Sequence, residues 1–83
     1  MTKILFFGPI RDAAGCAEME VELPAGVDTL ARLRDWLGAR DAHLGQAIRS
    51  HTIRVAVDQA FVAHDAALER PEEIAFMSPL SGG

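Results

Sequence analysis

The chain has 83 residues, 49% of them apolar and 24% charged, and a formal net charge of −4. One globular domain fits that size and composition, and a disordered chain does not. Nucleic acid and anionic membrane are disfavoured as main partners because no basic stripe exists to displace counterions, and the single Cys16 cannot close an internal disulfide. Residues 3–7 are a short run of strand formers that Gly8-Pro9 stops. Residues 9–15 predict a single helical turn, with proline at its start and glycine at its end. Residues 18–23 alternate acid and apolar, which predicts a half-buried strand with Met19, Val21 and Leu23 inward.

Pro24-Ala25-Gly26 turns the chain, and Asp28 or Thr29 is a fitting N-cap for the helix that follows. Leu30, Leu33 and Leu37 share one face of it, Trp36 flanks them, and Arg32 and Asp35 face away. Gly38 is expected to weaken or end this helix. A second helical piece is expected over 41–49, with Leu44, Ala47 and Ile48 on one side. Residues 53–57 predict a strand, Asp58-Gln59 a turn, 61–62 a shorter strand, and 73–77 the last one. No apolar run approaches the roughly 18 residues needed to cross a membrane, and residues 1–3 lead straight into a strand, unlike a signal peptide. A soluble cytoplasmic protein is the simplest expectation. The order strand, strand, helix, strands implies an α+β domain with helices on one face of a mixed sheet, which a β-grasp arrangement satisfies.

A side-chain period of two divides the first strand into Ile4 and Phe6 against Lys3, Leu5 and Phe7. It divides the last into Ile74 and Phe76 against Ala75 and Met77. Helices in so short a chain cover one face only. If the first set packs under Leu33 and Leu37, then Phe7 and Met77 look outward, and Phe61 joins them. Two readings remain: scattered exposed hydrophobes, or a contiguous patch that binds a partner. The pattern alone favours the patch slightly.

The closing stretch Met77-Ser78-Pro79-Leu80-Ser81-Gly82-Gly83 is the most informative. Pro79 cannot donate to a ladder and ends the last strand. The arm after it, about five residues, reaches on the order of 17 Å when extended. Chance places two glycines at a terminus in roughly 0.5% of chains, so the pair gains its force from following a strand directly. Glycines carry no Cβ, so a narrow channel can thread them and approach the last carbonyl. Gly83 then offers a carboxylate that an enzyme can activate as an acyl adenylate. Sulfide transfer would convert that to a thiocarboxylate, a sulfur nucleophile on a tether.

These residues resemble a known family. Residues 3–8 with Arg11 and Gly15 resemble the opening of the small subunit of molybdopterin synthase. Residues 57–62 look like its Val-Asn-Gln-x-x-Val segment, and 73–83 like its closing Glu-Val-Ala-Phe-x-Pro-Pro-Val-x-Gly-Gly. The resemblance runs the whole length in order. It implies a ubiquitin-like β-grasp domain over residues 1–78 and an extended, flexible tail over 79–83, formed by Pro79, Leu80, Ser81, Gly82 and Gly83. It also implies a cycle. An adenylating enzyme of the ubiquitin-activating type uses ATP and magnesium to activate Gly83, and a sulfurtransferase route delivers sulfur. The tail then enters the large synthase subunit, where sulfur passes to cyclic pyranopterin monophosphate. Family synthases are heterotetramers with two central large subunits, which hold the acid-base side chains; no cofactor or metal is expected on this chain. Phe7, Phe61 and Met77 match the family's contact surface. Arg11 is a candidate to pair with a partner's acid or to sit near the tail, against the plain reading of a lone exposed arginine. Three positions depart from the pattern: Asp58 for Asn, Glu69-Arg70-Pro71-Glu72 for a Gly-containing turn, and Met77 for an aromatic.

Other residues carry less. Cys16 reads as a bystander thiol rather than a persulfide relay, and His43, His51 and His64 are too dispersed to ligate a metal. The glutamates at 18, 20 and 22 read as a solvated strand face. Sulfur delivery to thiamine, tRNA or an amino acid needs the same tail. So does a ubiquitin-like modifier of lysines, whereas a plain binding module would not depend on Gly83.

Overall fold

The computed structural model describes residues 1–50 and 52–78. Its elements in chain order are β1 (Thr2–Phe6), α1 (Pro9–Ala14), β2 (Glu18–Val21), α2 (Leu30–Arg40), α3 (Ala42–Ile48), β3 (Arg54–Val57), β4 (Ala60–Phe61) and β5 (Glu73–Met77). The strands form one sheet in the order β2-β1-β5-β3-β4. β1 runs parallel to β5, and every other neighbouring pair is antiparallel. Parallel neighbours need a long crossover, and here it contains β2, both longer helices and the β3–β4 hairpin. This is a β-grasp fold.

Local chemistry sets most boundaries. Pro9 starts α1, and Gly15 ends it at φ 78, its N–H donating to the Arg11 carbonyl at 2.9 Å. Thr29 caps α2 by accepting from the Arg32 N–H at 3.2 Å. Asp41 closes α2 and opens α3: its N–H reaches the Leu37 carbonyl, and its Oδ1 accepts from His43 N and Leu44 N at 3.0 and 3.2 Å. β2 stops at Val21, two residues short of the expected end, where Val21 pairs with Thr2, the first residue of β1.

Of the two outcomes expected at Gly38, an end to the helix does not occur; α2 continues to Arg40. The reason lies across the helix pair. A Cβ placed on Gly45 of α3 would come 2.6 Å from Gly38 Cα, so the two glycines let the helix backbones meet closely. The lower helix propensity of Gly38 is offset by that packing.

Between β3 and β4 the expected turn forms with φ 50 at Asp58 and φ 71 at Gln59. Two left-handed residues make the hairpin turn whose twist suits its strands. β4 then spans Ala60–Phe61, one residue earlier than expected. The Asp58 carboxylate also accepts from Glu72 N at 2.9 Å and Glu73 N at 3.0 Å, fastening the hairpin to the start of β5.

The helices cover the face bearing Ile4, Phe6, Ile74 and Phe76. These four are fully buried with Leu30, Leu33, Leu37, Leu44 and Ile48. Each such side chain contributes about 1.5–3 kcal/mol by leaving water. The rings of Phe6 and Phe76, neighbours across the parallel pair, lie stacked with centroids 6.1 Å apart.

Candidate functional site on the open sheet face

The register assigns the other face residue by residue. Leu5 lies between Glu18 and Ala75, Ala75 beside Ala56, and Ala56 beside Phe61, so one lateral row crosses all five strands. The next row toward the C-terminal end of β5 pairs Met77 with Arg54. Phe7 follows β1 there, and its N–H donates to the Phe76 carbonyl at 3.1 Å. The centre of the face is small, with Ala75 and Ala56 sunk between larger neighbours. Phe7 and Phe61 stand at its sides 49% and 59% exposed, and Leu5 and Met77 are half-buried. Leu5, Phe7 and Met77, the set foreseen from alternation, therefore share one face with Phe61, and no helix among the described residues covers it. The Arg54 guanidinium lies over the Phe61 ring, 4.3 Å from its centroid, which biases the ring's orientation.

The chain leaves β5 beside this face. Ser78 follows Met77 and packs against Gly8, whose φ of 63 and ψ of −143 are open in practice only to glycine. A Cβ on Gly8 would lie 3.1 Å from Ser78 Oγ, so a side chain there would crowd the point where the chain departs. The tail residues Pro79, Leu80, Ser81, Gly82 and Gly83 lie outside the described residues, as does His51. Arg11 is exposed on α1, directly after the Phe7-Gly8 step and so at the same end of the sheet. Arg11, Phe7 and Met77 are thus brought to one end, with Phe61 on the edge strand of the same face.

Cys16 is half-buried with Sγ 3.9 Å from the Ala14 carbonyl. Among the described residues no three His, Cys, Asp or Glu side chains gather as a metal site, and no helix is long and apolar enough to cross a membrane. Two features were missed. Asp58 holds the start of β5 as well as a turn, a link between residues 14 and 15 positions apart that no local pattern announces. Arg34, which sequence reasoning passed over, is only 5% exposed, and its Nη1 donates to the His64 carbonyl at 2.7 Å. Burial lowers its pKa, and nearby Asp65 acts in the opposite direction. The signal for it existed: position 34 is four after Leu30 and three before Leu37, on the apolar stripe. Arg70 has φ 46 where the resembled family has a glycine-containing turn, so the departure noted there places an arginine in left-handed backbone.

Comparison with known proteins bears on this geometry. Residues 4–83 match the model of the ThiS family. Over 83 residues the chain is 32% identical to the molybdopterin synthase sulfur carrier subunit of Escherichia coli strain K12, covering both chains completely. It is 26% identical, again over the full length of both, to the protein of the same name from Haemophilus influenzae. The crystal structure of SAMP1 from Haloferax volcanii aligns with a TM-score of 0.78 at 21% identity, covering 99% of this chain and 98% of that one. A Pyrococcus furiosus protein provisionally assigned as molybdopterin converting factor, subunit 1 aligns with a TM-score of 0.74 at 23% identity, covering 94% and 95%. At those identities the two structures bear on the fold, and they agree with the β-grasp topology.

Proposed function

Since this chain belongs to the ThiS family, we propose that it is the sulfur carrier subunit of a molybdopterin synthase and that its working group is the carboxylate of Gly83. The observation that carries the proposal is the end-to-end similarity to two relatives of that name, one of them 32% identical. The family match extends to Gly83. That similarity does not favour the other sulfur pathways or a protein modifier.

In this reading an adenylating enzyme joins the Gly83 carboxylate to AMP from magnesium-bound ATP, releasing pyrophosphate. A sulfur donor displaces AMP and leaves a thiocarboxylate. The chain then docks on the large subunit in the cytoplasm, as the outer member of a heterotetramer. Its tail delivers sulfur to cyclic pyranopterin monophosphate and returns to a carboxylate. The open face supplies the docking surface through Phe7, Phe61 and Met77, with Arg11 at its end. Binding there raises the local concentration of the tail at the large subunit's site. The domain contributes an anchor and a tether, and the catalytic side chains belong to the partner.

The test is a chain lacking Gly83. It is expected to bind the large subunit with unchanged affinity for the folded face and to support no molybdopterin formation. Normal product formation by that variant would sink the proposal.

A further inference from the structure

At the β4 edge of the sheet, beside Phe61, a cleft of about 200 Å³ is lined by Arg34, Arg54, Phe61, Val62 and His64, among others. Two guanidinium groups therefore border one small recess in a chain whose net charge is −4. Arg54 is exposed and stacked on Phe61. Arg34 reaches the recess from α2 and is 95% buried, with Nη1 bonded to the His64 carbonyl. Its Nε is buried with no acceptor among the described residues. The nearby carboxylate of Asp65 already accepts the Ala31 N–H at 3.2 Å through Oδ1 and stands in solvent. A buried cationic donor without an acceptor is a cost that folding alone does not recover.

The recess is smaller than the roughly 300–1,000 Å³ of pockets that take whole small molecules, so its size fits one side chain. Two arginines select a carboxylate, which each can meet with paired N–H groups. Phe61 and Arg54 belong both to this cleft and to the open sheet face, so the cleft adjoins that face at the β4 edge, within reach of a side chain from a protein seated there. We propose that the cleft receives an aspartate or glutamate side chain from the protein that covers the open sheet face, with Arg34 and Arg54 as its paired cations. This rests on the reading of Phe7, Phe61 and Met77 as a docking face, and it adds the charged contact that fixes how the partner is placed along the β4 edge.

The experiment is calorimetric titration of the cognate large subunit with the full chain, its R54Q variant and its R34K variant, alongside NMR of the Arg34 Nε–Hε group in the wild-type complex. R54Q is expected to weaken binding by about thirtyfold, and R34K, which keeps the charge but loses the planar fork, to weaken it as well. In the complex the Arg34 Hε signal moves downfield and its exchange with water slows. The NMR arm uses wild-type protein and R54Q alters an exposed residue, so the test does not depend on R34K folding. Wild-type affinity in R54Q with an unmoved Arg34 Hε would overturn the proposal, even where loss of Phe7 weakens binding and the docking face stands. The same Hε shift produced by free acetate and not by the large subunit would overturn it in favour of a small-anion site. Failure of the wild-type chain to bind at all would remove the docking face and the acidic contact together.

Discussion

Replacing Phe7 with alanine isolates the open face from the rest of the molecule. Phe7 is 49% exposed; a phenylalanine presents roughly 200 Å² in the unfolded chain, so about 100 Å² remains for a partner to cover. At about 25 cal/mol per Å² that is worth up to about 2.5 kcal/mol. Ordering costs at the interface reduce it to about 2 kcal/mol, or roughly thirtyfold in Kd. The backbone bond from Phe7 to the Phe76 carbonyl does not need the ring, and the ring lies outside the core cluster. Unfolding free energy is therefore expected to change by less than about 1 kcal/mol. Titration of the cognate large subunit reads the first quantity, and urea unfolding of the free chain reads the second. Affinity within threefold of wild type (about 0.6 kcal/mol) would refute the reasoning, as would a loss matched by an equal loss of stability.

The two glycines of the helix crossing are expected to respond with opposite sign. Gly45→Ala forces a Cβ to 2.6 Å from Gly38 Cα; overpacking of about 1–3 kcal/mol outweighs a helix gain of about 1 kcal/mol, and the melting temperature falls by several degrees. Gly38→Ala meets its nearest atom at 3.4 Å, an ordinary contact, so the helix gain prevails and calorimetry should show a rise. Asp58→Ala loses two charge-assisted bonds to the start of β5 and a residue suited to φ 50, at about 2 kcal/mol. Asp58→Asn keeps an acceptor oxygen and a tolerance for that backbone, and denaturant titration should show a smaller loss.

Much of the fold was legible because its signals are local. Leu30, Leu33 and Leu37 announce the buried stripe of α2, and period-two alternation separates Ile4 and Phe6 from Leu5 and Phe7 before any partner strand is known. The open face followed from a count: one helical layer covers one side of a sheet. What stayed hidden depends on pairs distant in sequence. Gly38 reads as a helix breaker until Gly45 is seen against it. Asp58 reads as a turn residue until its carboxylate meets Glu72 and Glu73. Arg34 sits on the apolar stripe and was passed over, because an arginine in that position is buried only when a carbonyl such as that of His64 comes within reach. For the tail the sequence offers chemistry alone, the pair Gly82-Gly83 soon after β5, and those residues lie outside the described ones.

The decisive measurement is the intact mass of the untagged chain after incubation with its adenylating enzyme, ATP, magnesium and a sulfur source. A gain equal to exchange of one oxygen for sulfur, carried by the terminal peptide and absent when Gly83 is deleted, is the predicted result. An unchanged mass, with an enzyme and sulfur source active on another carrier, would contradict the proposed function; so would sulfur carried on Cys16 instead of Gly83.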